Sequence, residues 1–94
     1  MNYKPKDKKE KDLIKVLSKI GAEKDIANFL RDLLTPQEIV EFATRFEIAG
    51  LLEKTDLSYR EIAKKVGVST TTVSRVALWL NDGCNGYKKA LKTL

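Results

Sequence analysis

The feature that most restricts the fold of this sequence is residues 58–80, which contain two helix-start signals on either side of a glycine. Ser58 and Glu61 have the spacing of a capping box, in which each side chain accepts a hydrogen bond from the other residue's backbone N–H. Ser69 is a second capping residue. Gly67 lies between them and can adopt the positive φ that a tight turn requires. The pattern therefore predicts two short helices joined by almost no loop.

Two helices joined in this way must cross steeply, which requires a small residue where the second helix passes over the first. Ala63 supplies that residue. The positions that would pack the pair together are all apolar: Ile62, Val66, Val68, Val73 and Val76. We interpret residues 58–81 as a helix-turn-helix, whose second helix would enter the major groove of double-stranded DNA. A helical hairpin without a nucleic-acid function is the alternative.

The second helix would begin with a run of hydroxyl side chains, Thr70, Thr71 and Thr72, followed by Ser74. Hydroxyls can reach phosphates or base edges, and threonine methyls can pack on thymine methyls. Helix capping and solvation would also explain the run. On the first helix, Arg60, Lys64 and Lys65 are placed for phosphate contact, although each could equally be solvated surface.

Helix signals are dense in the rest of the chain, and strict β alternation is absent. Thr35 and Glu38 predict a capping box, with Pro36 at the first position of a helix that runs to about Lys54. Two earlier helices should end near Gly21 and Leu34, and a short last helix should cover residues 87–94. The expected fold is all-α with six helices.

The helix that begins at Pro36 is apolar on two sides. At 100° per residue, Phe42 and Phe46 lie on one face, whereas Val40 and Leu51 lie largely on the other. A helix of this kind must be buried on both sides, and a short chain favours cover by a second copy. We therefore expect a homodimer, with a monomer whose own helices wrap both faces as the alternative.

Composition excludes several classes of function. The chain of 94 residues has no histidine and one cysteine, so His-based catalysis, an internal disulfide and a multi-cysteine zinc site are excluded. No apolar run is long enough to span a membrane, and the charged N-terminus does not have the pattern of a secretory signal. The net charge of +5 favours an anionic partner. We expect a cytoplasmic, non-enzymatic binding protein without cofactor or metal.

The charge distribution gives further support to an anionic partner, because residues 1–21 and 55–94 each carry a net charge of +4 and the segment between them is acidic. Residues 1–11 are interpreted as a basic flexible arm and 12–94 as a single helical domain for DNA binding and dimerisation. The basic N-terminal segment is either a solvated tail or a phosphate-binding arm.

The segments Leu33-Leu34-Thr35-Pro36, Thr44-Arg45 and 58–80, in this order, resemble the bacterial tryptophan repressor family. The resemblance covers residues 30–80 well and the two ends of the chain weakly. Within the family, the sequence is most similar to the tryptophan-repressor-like YerC/YecD branch. The resemblance implies an all-helical, intertwined homodimer that binds a palindromic operator and represses transcription. The resemblance also implies seven operator-facing positions, to which we add Lys64 for its place on the first helix. The expected DNA-binding residues are Tyr59, Arg60, Ala63, Lys64, Thr70, Thr71, Thr72 and Ser74.

The resemblance also implies a corepressor pocket, but this chain departs from its pattern. The two arginines that sandwich an indole match Arg45 and Arg75, and Thr72 matches a further pocket residue. Leu34 and Thr35 match wall positions that the family takes from the partner subunit.

Where the family has a glycine and a serine, this chain has Val76 and Trp79. Overpacking such a site typically costs about 1–3 kcal/mol. A small-molecule effector is therefore not expected, and L-tryptophan is predicted not to bind because the pocket is filled. Core packing is the ordinary interpretation of Trp79, and occupation of the ligand's place is a further hypothesis.

Two other classes of function compete with the regulator. A non-catalytic protein-interaction module could reuse the fold, with Leu78 and Trp79 forming its partner surface. The chain could also be the DNA-binding fragment of a transposase or recombinase, whose catalytic residues would lie elsewhere.

Overall fold

A computed structural model describes all 94 residues and contains six α-helices and no strand. The helices are α1 (Lys8–Lys19), α2 (Glu23–Leu33), α3 (Pro36–Lys54), α4 (Tyr59–Val66), α5 (Thr70–Asp82) and α6 (Gly86–Leu91). The predicted all-α class with six helices is confirmed. None of the six helices combines the length and the apolar composition that a membrane-spanning segment needs.

The chain divides into two compact units, Asn2–Val40 and Glu41–Leu94, and each is described by itself. The expectation of a single domain over residues 12–94 stays a prediction.

In the first unit, α1 begins earlier than the predicted end of the N-terminal arm at residue 11. The Asp7 carboxylate accepts a hydrogen bond from the Glu10 N–H at 3.0 Å and caps the helix at Lys8. The Glu10 carboxylate in turn accepts hydrogen bonds from the Lys6 N–H and the Tyr3 hydroxyl. Residues 8–11 are therefore helical, because Asp7 caps the helix ahead of them, and the flexible arm predicted over residues 1–11 does not extend past Asp7.

Neither α1 nor α2 buries a single residue. The apolar side of α1 consists of four large side chains that remain between 38% and 46% exposed: Leu13, Ile14, Val16 and Leu17. These side chains have the predicted helical spacing, and none of them is buried.

Helix α3 begins with the predicted capping box, since the Glu38 N–H donates to Thr35 Oγ1 at 3.1 Å and the Thr35 N–H donates to Glu38 Oε1 at 2.9 Å. Ile48 and Ala49, in the C-terminal half of the helix, are both fully buried. Val40 and Phe42 remain 58% and 49% exposed. The C-terminal half of α3 is therefore the buried half, because the core of the second unit forms around it. No apolar side chain of the N-terminal half is buried, so burial changes along the helix rather than from one face to the other.

The core of the second unit draws on four helices. Its buried members come from α3, α4, α5 and α6: Ile48, Ala49, Ile62, Ala63, Val73, Val76 and Leu91. This core fixes α4 and α5 against the C-terminal half of α3, with α6 at its edge.

Candidate nucleic-acid interface

Helix α4 is held at both ends by short-range hydrogen bonds. The Ser58 N–H donates to Glu61 Oε1 at 2.9 Å, and the Glu61 N–H donates to Ser58 Oγ at 3.1 Å. The backbone N–H and the side chain of Ser58 both lower the pKa of Glu61 by stabilising its carboxylate. At the other end, Gly67 has a φ of 85° and ends the helix in the left-handed conformation.

Three residues separate α4 from α5, and both ends of this turn are hydrogen-bonded. The Gly67 and Val68 N–H groups donate to the Ala63 carbonyl at 2.8 and 3.0 Å. Ser69 Oγ accepts from the Thr72 N–H at 3.2 Å and caps α5. Ile62 and Val73 are fully buried in the core that the two helices share. The geometry is consistent with the predicted helix-turn-helix.

Most of the side chains expected to face DNA are exposed. On α4 these are Tyr59, Arg60 and Lys64, and on α5 they are Thr70, Thr71 and Ser74. Thr72 is half-buried.

Ala63 is the exception, because it is only 6% exposed and belongs to the core. Its small side chain serves the packing of α4 and is not presented to a ligand. The expectation that Ala63 faces DNA therefore does not fit its burial, and we leave it out of the interface.

The basic side chains of α4 have no acidic partners. The chain contains one ion pair, Lys8 with Asp12, whose Lys Nζ and Asp Oδ2 atoms are 2.6 Å apart. Arg60, Lys64 and Lys65 are exposed and make no salt bridge, so their charges are available to an external anion.

A half-open cleft of about 410 Å³ lies beside this pair of helices. It is lined by Arg45 of α3, four residues of α5 and one of α6: Arg45, Thr72, Arg75, Val76, Trp79 and Tyr87. The structure thus brings together five of the seven residues that match the corepressor pocket. Leu34 and Thr35 belong to the unit of residues 2–40 and do not line it.

Tyr87 was not predicted from the sequence. It reaches the cleft because α6 packs against the core through Leu91, which is a contact between distant parts of the sequence. No local signal identifies Tyr87 as a cleft residue.

Trp79 is 61% exposed, so the expectation that its side chain is packed in the core is wrong for the single chain. Its side chain forms a wall of the cleft, and the cleft remains open rather than filled. Val76 is buried and also contributes to the core. The indole stays outside because the buried stripe of α5 consists of other residues: Val73, Val76, Ala77 and Leu80.

The two arginines of the cleft have no carboxylate partner. The Arg45 guanidinium lies 5.5 Å from the centroid of the Phe42 ring, which is the distance of a cation–π contact. Arg75 and Arg45 therefore bring two uncompensated positive charges to one cleft. No group of His, Cys, Asp or Glu residues is arranged to hold a metal ion.

Comparison with known proteins places this geometry in a family. Residues 8–94 match the family model described as Trp repressor protein. The uncharacterized protein YerC of Bacillus subtilis (strain 168) is 37% identical over 84 residues, which cover 86% of this chain and 80% of that protein. A Trp operon repressor homolog of Xylella fastidiosa (strain 9a5c) is 39% identical over 80 residues, which cover 85% of each chain.

A solved structure agrees with these sequence matches. The crystal structure of a TrpR-like protein from Eubacterium eligens ATCC 27750 superposes with a TM-score of 0.85 at 32% sequence identity. The match covers 94% of this chain and 90% of that one. Sequence and fold agree over nearly the whole chain, which therefore belongs to the Trp repressor protein family.

Proposed function

We propose that this protein is a sequence-specific DNA-binding transcriptional regulator that acts as a homodimeric repressor at a palindromic operator. The observation that carries the proposal is the α4–turn–α5 pair, which exposes unpaired basic side chains on α4 and hydroxyl side chains on α5. The family match over residues 8–94 supports it, as do the Xylella fastidiosa relatives that are named Trp operon repressor homologs.

The physical mechanism begins with electrostatic capture. Arg60, Lys64 and Lys65 neutralise phosphates and orient α4 across the DNA backbone. The first turn of α5 then lies at the base edges in the major groove. Two copies place their α5 helices about 34 Å apart, in successive major grooves on one side of the duplex.

Homodimerisation is part of the proposal because the chain leaves much apolar surface uncovered. Leu13 and Leu17 of α1, Leu33 of α2, and Val40 and Phe42 of α3 are all between 38% and 58% exposed. Exposed apolar side chains on three helices are typical of an interface with another protein copy. A dimer also supplies the two-fold symmetry that a palindromic operator requires.

The operator experiment is selection of bound sequences from random duplex DNA, followed by titration of the selected duplex at increasing salt. We expect a palindromic consensus. With three basic side chains from each of two subunits, affinity should fall about 10³-fold between 50 and 200 mM salt. Replacing Lys64 by Gln should reduce the salt slope, whereas Lys24→Gln on α2 is a matched control that should leave it unchanged. A flat salt response, or no selected sequence, would contradict DNA binding.

We also propose that DNA binding does not respond to tryptophan. Val76 and Trp79 add bulk to the wall of the cleft between Arg45 and Arg75. We expect calorimetry with L-tryptophan to give no heat of binding at micromolar concentrations, and the affinity for DNA to be unchanged by the amino acid. Micromolar binding to the wild-type protein would contradict this proposal.

Trp79 borders the open cleft without filling it, and we propose that its indole takes over a bound ligand's task of holding α5 in the orientation that binds DNA. Its indole borders the same cleft as Arg45 and Arg75. We therefore expect Trp79→Ala to weaken DNA binding, and free tryptophan or indole to restore part of the loss. If neither binding nor stability is restored, Trp79 does not act as an internal ligand.

A second candidate function is a non-catalytic protein-interaction module. Leu78 and Trp79 are adjacent on α5 and are 50% and 61% exposed, which supplies an apolar partner surface. Trp79 fluorescence distinguishes the two functions. A change on adding selected duplex DNA favours the regulator, whereas a change only on adding a protein extract freed of nucleic acid favours the interaction module.

A further inference from the structure

The hydroxyl groups at the start of α5 are not equally free to bind a ligand. Ser69 Oγ accepts from the Thr72 N–H and lies 3.1 Å from Thr72 Oγ1, so both hydroxyls serve the helix cap. Ser74 Oγ donates to the Thr70 carbonyl at 3.0 Å. The hydroxyls of Thr70 and Thr71 have no hydrogen bond within the protein. Thr70 and Thr71 are therefore the residues at the start of α5 whose hydroxyl groups are available to a ligand.

Of Thr70 and Thr71, Thr71 points more directly away from the protein core. The buried stripe of α5 is centred on Val73, Val76 and Leu80. At 100° per residue, Thr71 lies almost opposite the centre of that stripe. It is exposed, and its neighbours one turn on, Ser74 and Arg75, are exposed as well. The side chain of Thr71 therefore projects directly away from the core.

The first turn of α5 also lacks every side chain that reads a base through two hydrogen bonds. Guanine is read in this way by Arg or Lys, and adenine by Asn or Gln. Residues 69–74 are Ser, Thr, Thr, Thr, Val and Ser, so none of these types is present. The next long polar side chain on the helix is Arg75, which lines the cleft with Arg45 and Trp79.

We infer that this turn recognises thymine through the C5-methyl group, with the Thr71 methyl as the main contact and Thr70 as a secondary one. The inference rests on the proposed DNA-binding function and names the base chemistry that the function uses. A methyl–methyl contact in the major groove is apolar, so it needs no bidentate partner. The operator half-site accordingly contains a T·A pair at the position that faces Thr71.

The DNA side of the test replaces thymine by deoxyuridine, which removes the C5-methyl and leaves base pairing unchanged. In the selected duplex, each thymine of the half-site is replaced in turn, and affinity is measured by fluorescence anisotropy. Loss of one buried methyl contact should weaken binding about fourfold for one half-site and about 15-fold when both half-sites are changed. Replacement of thymines outside the half-sites is the control and should have no effect.

The protein side uses two variants that each remove one of the two groups on the Thr71 β-carbon. Thr71→Ser keeps the hydroxyl and removes the methyl, whereas Thr71→Val keeps the methyl and removes the hydroxyl. We expect Thr71→Ser to bind weakly and to lose its sensitivity to deoxyuridine. Thr71→Val should keep both its affinity and its sensitivity. Because Thr71 is exposed, both variants should fold, which far-UV circular dichroism and the thermal midpoint will check.

The outcomes separate this inference from the function on which it rests. If no duplex is selected, DNA binding itself fails. If a duplex is selected but deoxyuridine has no effect at any half-site position, the protein binds DNA and the thymine-methyl inference is overturned. If the selected half-site depends on guanine and Arg75→Ala removes that dependence, the main base contact is made by Arg75 and not by Thr71, which also overturns the inference.

Discussion

At the scale of single residues, conformation and capping decide where the helices of residues 41–94 stop and start. Gly67 and Asn85 are the two residues with positive φ, at 85° and 65°. Gly67 has no Cβ to strain, and asparagine tolerates the left-handed region better than most residues. The turn before α5 and the turn before α6 are therefore both set by residue types suited to them.

Gly67→Ala tests the first of these turns. No atom lies within 4 Å of the place where its Cβ would be, so the expected effect is conformational rather than steric. We expect the free energy of unfolding to fall by about 1–2 kcal/mol, measured by urea denaturation. Gly21→Ala is the control, because Gly21 also has free space around it and lacks a positive φ. Equal effects of the two substitutions would contradict a conformational role for Gly67.

Glu61 makes the capping of α4 dependent on pH. Since the hydrogen bonds from Ser58 lower the pKa of Glu61, its carboxylate stabilises the folded state above the unfolded pKa of about 4.3. That contribution is lost as the pH falls through the lower folded value. We expect Glu61→Gln to lower the urea midpoint at pH 7 and to approach the wild type near pH 3. Glu53→Gln, at an exposed position without a hydrogen bond, should match the wild type throughout.

At the scale of the helices, α6 shows how a short element is held by packing. A helix of six residues is not stable on its own, because its nucleation is unfavourable and few hydrogen bonds follow. Leu91 anchors α6 by joining the core. Its Cδ2 atom packs over Gly50 of α3, since a Cβ added to that glycine would lie 3.5 Å from it. Through α6 the same anchor positions Tyr87 at the cleft.

Leu91→Ala should destabilise the fold through a cavity in this core. We expect the free energy of unfolding to fall by about 2–5 kcal/mol at fixed protein concentration. Leu94→Ala is a matched control, because Leu94 is 84% exposed and its truncation should change stability by less than about 0.5 kcal/mol. If Leu91→Ala behaves like Leu94→Ala, α6 is not held by its leucine.

At the scale of the whole molecule, the notable feature is how little of the apolar surface of α1, α2 and the first half of α3 is buried. None of the residues of α1 and α2 is buried, whereas four residues of α5 are. Burying a large aliphatic or aromatic side chain is worth about 1.5–3 kcal/mol. Association of two copies through these helices would therefore release a large free energy.

Val40→Glu tests that association, because Val40 is 58% exposed and a charge there would be buried in an apolar interface. We expect the wild-type protein to sediment at twice the mass of one chain and Val40→Glu to shift toward one chain mass at the same concentration. Glu41→Gln, at the neighbouring exposed position, should remain associated. A wild-type protein that sediments as a single chain would contradict the homodimer.

The limits of α3, α4 and α5 could be predicted from the amino-acid sequence, since they depend on hydrogen bonds between residues three or four apart. Pro36, Ser58, Gly67 and Ser69 marked the limits of α3, α4 and α5 through caps and one left-handed glycine. Asp7 is the same kind of signal, and it begins α1 at Lys8, within the segment interpreted as a flexible arm.

Which side chains are available at the candidate site follows from the packing of the helices against one another. It placed Ala63 in the core, left Trp79 exposed and brought Tyr87 to the cleft beside Arg45 and Arg75. Local sequence could not predict these positions, because they follow from packing between helices that are distant along the chain. Helix limits depend on residues that are close along the chain, whereas burial depends on which helices meet in the folded molecule.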